Sequence, residues 1–98
     1  MRTRLPSIGD DEAMGAQDTQ AGPEWTRGAD ALTREWTLAD FPAALAFVNR
    51  VGELAEEQGH HPDILIHGWN HVRLTLSTHS SGGLTEADER LAAAIDAL

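Results

Sequence analysis

The apolar residues of this chain change their spacing several times, and that change limits the folds open to it. Between Ala31 and Leu38 they alternate: Leu32, Trp36 and Leu38 share one face, with Thr33, Glu35 and Thr37 on the other. A period of two marks a half-buried strand. From Phe41 the spacing becomes helical, and Phe41, Ala44, Leu45, Val48, Val51, Gly52 and Ala55 fall on one stripe. Asp40 stands at the N-cap position, Pro42 lies in the first turn where its missing N–H costs nothing, and Gly59 offers a left-handed stop. The alternation then returns. Asp63 to His67 is a short apolar strand around Ile64, Leu65 and Ile66, and Gly68 and Asn70 supply turn chemistry. His71 to Thr78 sets Val72, Leu74 and Leu76 on one face against Arg73, Thr75 and Ser77 on the other.

Ser80-Ser81-Gly82-Gly83 reads as a loop, and Thr85 opens a last helix with Asp88 three residues on, a capping box with Asp in place of Glu. Its expected buried stripe is Leu84, Ala87, Leu91, Ala94, Ile95 and Leu98. Upstream, Trp25 and Thr26 begin a short strand that the turn Arg27-Gly28-Ala29-Asp30 folds back. Residues 1–23 are weakly patterned. They read as a short helix capped by Asp10 and facing the core with Ile8, Ala13, Met14 and Ala16, or as a frayed acidic arm.

The order is therefore (α)ββαββα. Four short strands joined mainly by hairpins predict an antiparallel sheet whose apolar face the helices must cover. The expected class is α+β, two-layer, with residues 24–98 as the domain. At 98 residues there is room for one such domain.

Composition narrows the function. Cysteine is absent, which excludes disulfides, thiolate nucleophiles and Cys-ligated zinc or iron–sulfur centres. Sixteen acidic residues against seven arginines leave a net charge of −9, which argues against binding nucleic acid or anionic lipid. No apolar run reaches membrane-span length and no apolar signal region opens the chain, so a cytoplasmic protein is expected.

Five histidines stand out, because imidazole titrates near neutral pH. With a turn centred near residue 69, antiparallel partners have numbers totalling roughly 138 or 139. That register sets His60 and His61 beside His79 at one end of the sheet and His67 and His71 at the other. Glu56, four residues before His60, can reach a His ring and fix its tautomer, or form an ordinary solvated surface pair. Three clustered imidazoles suit zinc, or general acid–base catalysis, or no chemistry at all. Against zinc, adjacent residues such as His60 and His61 point to opposite sides of a strand.

The run Glu56-x3-His60-His61-Pro62-x6-Trp69-x9-His79-x8-Asp88 resembles the signature of the pterin-4a-carbinolamine dehydratases. HHPDI, GWNHVRLTLSTHS and GGLTEAD follow that family pattern nearly letter for letter, and the likeness extends back through LTREWTLADFPAALAFVNRVGELAEE, covering roughly residues 25–98. The departure is at the N-terminus, where DDEAMGAQDTQAGPEW is poor in large apolar residues. The resemblance implies a dehydratase (hydro-lyase) that converts 4a-hydroxytetrahydropterin to quinonoid dihydropterin and water. It implies no metal and no redox cofactor.

By the same resemblance His60, His61 and His79 move protons, with His61 foremost. The backbone of Gly59, Ser77, Thr78 and Ser80 lines the pterin pocket. Glu56 and Asp88 support it, although capping alone accounts for Asp88. Trp69 is expected to pack at the hairpin turn rather than to stack on substrate. Homodimers or homotetramers are implied as well. The alternatives are a non-enzymatic dimerisation or assembly factor on the same fold, and a pterin-binding protein of another pterin pathway.

Overall fold

A computed structural model describes residues 20–78 and 82–98. The helix considered between Ile8 and Ala16, and the loop and site positions His79, Ser80 and Ser81, lie outside the described residues. The elements are β1 (Thr26–Arg27), β2 (Leu32–Thr37), α1 (Phe41–Gln58), β3 (Asp63–His67), β4 (His71–Leu76) and α2 (Glu86–Asp96). The strands form one antiparallel sheet in the order β1-β2-β4-β3. Two hairpins are thus joined edge to edge, with β4 in contact with both β2 and β3. The expected α+β class and antiparallel sheet are what the chain adopts.

Local chemistry sets the element ends. Asp40 accepts the N–H of Ala43 at 2.9 Å, capping α1. Gly59 closes that helix in the left-handed region (φ 65°), and the N–H of His60 returns to the carbonyl of Ala55 at 3.1 Å. This reversal turns the chain sharply out of α1, so His60 and His61 lie between helix and sheet. The β3–β4 hairpin pairs Asp63 with Thr75 and His67 with His71, the register expected from the sequence.

Pairing places Leu32, Arg34, Trp36, Ile64, Ile66, Val72, Leu74 and Leu76 on one face of the sheet. Leu32, Val72, Leu74 and Leu76 are fully buried there against Ala44 and Val51 of α1 and Leu91, Ala92 and Ile95 of α2. Each buried leucine contributes roughly 1.5–3 kcal/mol. Trp25, Trp36 and Phe47 extend this core, Trp25 meeting Trp36 edge-on with centroids 5.6 Å apart. The Trp25 indole N–H donates to Asp96 at 2.8 Å, and Arg34 donates to the same oxygen at 2.7 Å. Ala21 and Gly22, at the end of the segment read as an arm, donate their N–H groups to Glu89 and Asp96 of α2.

The packing departs from the expected stripes in three places. Phe41 and Leu45 are exposed, and Phe47 with Leu54 takes their place against the core. In α2, Ala92 is buried and Leu98 is exposed. Helical spacing selects a stripe but not which edge of it the sheet covers. Trp69, expected to pack, is 61% exposed at the hairpin tip with φ 60°. Left-handed backbone in a bulky residue is rare and strained.

Candidate active site

The sharp exit from α1 aims the two adjacent histidines differently. His60 is half-buried, and its Nε2 lies 2.5 Å from Oδ1 of Asp88, in the first turn of α2. Asp88 itself is fully buried. Its other oxygen accepts the Thr78 hydroxyl at 2.7 Å and the Thr85 backbone N–H at 3.0 Å. The Thr85 hydroxyl lies 2.9 Å from that of Thr78 and accepts the N–H of Ala87. Asp88 therefore caps its own helix and holds His60 at once. Capping alone does not account for it.

Burial opposes the charge on Asp88, yet the hydrogen bonds from His60, Thr78 and Thr85 outweigh it and hold its pKa below the usual carboxyl value. An ionised carboxylate only accepts. His60 Nε2 therefore carries a proton, and whenever the ring holds only that one its lone pair is on Nδ1. That arrangement fixes a tautomer, which is what proton transfer by imidazole requires.

Glu56 reaches His61 rather than His60: its Oε2 lies 2.6 Å from His61 Nε2. Both groups are exposed, at 79% and 61%. The helix ends between them, so the four-residue spacing to His60 no longer places that ring above Glu56. Gly59 is exposed at the turn, and Ser77 and Thr78 are half-buried just past β4. Thr78 pairs across to Gly83 in an isolated bridge, its carbonyl accepting the Gly83 N–H. Of the residues expected at the site, Glu56, Gly59, His60, His61, Ser77, Thr78 and Asp88 are linked by chain or hydrogen bond.

His67 and His71 lie at the other end of the hairpin, about 20 Å along the strand direction. Their rings stack with centroids 5.2 Å apart. His67 Nε2 is 2.6 Å from Glu35, which Arg73 also contacts, and His71 Nδ1 is 3.1 Å from the Thr37 hydroxyl. The pKa of Glu35 is lowered, chiefly by the bond from His67. Among the described residues, no group of three or more His, Asp and Glu side chains is arranged to hold a metal ion. No helix there is long and apolar enough to cross a membrane.

The His60–Asp88 contact spans 28 residues, and no local periodicity announces it. Thr78 and Thr85, which fix the carboxylate, show in the sequence only as a strand end and a cap.

Comparison with known proteins gives the family and the fold. The family model described as pterin 4 alpha carbinolamine dehydratase matches residues 8–98. A relative from Chloroflexus aurantiacus, with the provisional name pterin-4-alpha-carbinolamine dehydratase, is 53% identical over 87% of this chain and 90% of its own. A similarly named protein of Nocardia farcinica is 55% identical over 78% of this chain and 79% of its own. Among solved structures, the transcriptional coactivator/pterin dehydratase from Brucella melitensis superposes with a TM-score of 0.70 at 35% identity, over 76% of this chain and 81% of that one. A pterin dehydratase-like protein identified as a RuBisCO assembly factor in the alpha-carboxysome superposes with a TM-score of 0.60 at 27% identity, over 74% and 83%.

Proposed function

The chain belongs to the pterin 4 alpha carbinolamine dehydratase family, and on that premise we propose that it dehydrates 4a-hydroxytetrahydropterin to quinonoid dihydropterin. The C4a–O bond breaks, a proton reaches the departing hydroxyl, and N5 gives up its proton as the C4a=N5 bond forms. One group must donate and another accept, and imidazole does both near neutral pH. His60, His61 and His79 are the residues assigned to these steps, within a pocket bordered by Gly59, Ser77, Thr78 and Ser80.

The observation that carries this reading is the buried Asp88 carboxylate on His60 Nε2. A fold kept only for docking a partner has no need of a desolvated carboxylate that fixes one imidazole tautomer. Glu56 stands in the same relation to His61, on the solvent side. The second reading, a non-enzymatic assembly factor, draws support from the likeness to the RuBisCO assembly factor.

The test is direct. Purified protein, with and without chelator, is mixed with freshly generated 4a-hydroxytetrahydropterin, and quinonoid dihydropterin is followed by ultraviolet absorbance. Acceleration that survives the chelator is expected. A folded protein that gives no acceleration over buffer would refute the dehydratase reading in favour of the assembly factor.

A further inference from the structure

A second concavity adjoins the Asp88 network. The turn after β1 and the segment after β4 enclose a cleft of about 280 Å³, lined by Asp30, Ala31, Ser77, Thr78, Gly82 and Gly83. The sheet explains the meeting. Two residues past the last β2–β4 pair, Leu32 with Leu76, the same register brings Asp30 level with Thr78. The Thr78–Gly83 bridge then carries Gly83 up to the turn, where a Cβ would stand 3.8 Å from Asp30 Oδ1. Asp30 is exposed, and it makes no hydrogen bond or ion pair with any described residue. Among the described residues lining the cleft it is the one that carries a charge.

Thr78 joins this cleft to the imidazole. It lines the cleft, and its hydroxyl donates to the carboxylate that holds His60. Asp30 and His60 are thus linked through Thr78 and Asp88, with Asp30 on the cleft side of Thr78 and the buried carboxylate on the other.

We propose that Asp30 is the specificity-determining residue for the ligand, accepting hydrogen bonds from the pyrimidine edge of a pterin. The assignment rests on the dehydratase reading above. That edge presents two adjacent donors, the ring N3–H and the 2-amino group. The two oxygens of a carboxylate match such a pair, and both are acceptors. C4a lies at the ring fusion and N5 on the adjoining ring, so holding the N3 and 2-amino edge of the rigid bicycle fixes the direction in which they point. Few polar groups set orientation in a small-molecule site, and removing one donor from a ligand read this way costs far more than removing a methyl group.

Asparagine at this position makes a sharp test, because it offers one acceptor and one donor. That pair suits a 2,4-dioxo analogue (a lumazine), which presents N3–H beside a carbonyl. The full-length protein, Asp30→Asn and Asp30→Glu are titrated with 6-methyl-7,8-dihydropterin and with 6-methyl-7,8-dihydrolumazine, followed by ligand fluorescence. The unsubstituted protein should prefer the pterin by about tenfold or more. Asp30→Asn should abolish or invert that preference, and Asp30→Glu should keep its direction. In turnover, Asp30→Asn should raise KM about tenfold and leave kcat within about threefold. If Asp30→Asn binds with an unchanged preference, the assignment of Asp30 falls and the dehydratase reading stands. If the unsubstituted protein binds neither compound, both fall.

Discussion

Asp88→Asn separates charge from shape at the one buried carboxylate among the described residues. In the unsubstituted protein three donors converge on it: His60 Nε2, the Thr78 hydroxyl and the Thr85 N–H. An amide oxygen in its place can still serve the two threonines, but the amide nitrogen then faces His60. The ring must surrender its Nε2 proton and carry it on Nδ1. One charge-assisted bond of about 1.5–3 kcal/mol gives way to a neutral bond of about 1 kcal/mol, a net loss of about 0.5–2 kcal/mol. For a domain of this size that lowers Tm by about 2–16 °C. Asp88→Ala strands all three donors, among them the Thr85 N–H that its carboxylate serves in the capping box, so a loss of about 3–5 kcal/mol is expected. Acid adds a second signature. The folded-state pKa of Asp88 lies below its ordinary 3.8. Its stabilisation is therefore complete above the unfolded value and is lost as pH falls through the folded one. Thermal melts by circular dichroism between pH 7 and pH 2.5 should show the unsubstituted protein losing stability below about pH 4, with Asp88→Asn losing less over the same interval. Equal Tm values at pH 7, with parallel decline in acid, would refute the reasoning.

The remaining predictions concern the histidines and the end of α1. His61→Ala and His79→Ala should each lower kcat tenfold or more by removing a proton-transfer group, whereas His67→Ala and His71→Ala should leave it within about twofold. A loss at His67 equal to that at His61 would overturn the placement of the site. Gly59→Ala puts a Cβ on a left-handed residue (φ 65°). It should cost about 1–2 kcal/mol, read as a Tm lower by about 5–10 °C, with Gly59→Asn milder. An unchanged Tm would mean that the helix does not end in that conformation.

Much of this fold is legible in the residues because it depends on short-range physics. Asp40, Pro42 and Gly59 bound α1 by capping chemistry that acts within one turn, and the 68–70 loop fixes the β3–β4 register by itself. The strand order is another matter. β2 pairs with β4 across 34 residues at Thr37 and His71, and alternation is the same whichever neighbour a strand takes. The site divides the same way. That His60 and His61 lie at the opposite end of the hairpin from His67 and His71 follows from counting along it. That His60 meets Asp88 depends on how α2 docks, and that Glu56 turns to His61 depends on the direction in which the chain leaves the left-handed Gly59. Trp69 shows the opposite limit: a large apolar side chain in a turn reads as a packing residue, but its left-handed backbone directs it to solvent.

The carboxylate on His60 is also the N3 residue of its own helix, and this ties the chemistry to a local equilibrium. Helix ends open at a small fraction of the free energy of global unfolding. If the first turn of α2 opens, Asp88 leaves His60 while the sheet ladders and α1 remain intact. The imidazole is then free to exchange its proton between the two ring nitrogens. Amide exchange at Asp88 and Glu89, whose N–H groups bond the Thr85 carbonyl, reports that opening directly. The fraction of molecules with a held ring is thus set by the fraying of one helical turn, so mild denaturant should erode turnover before circular dichroism registers any loss of structure.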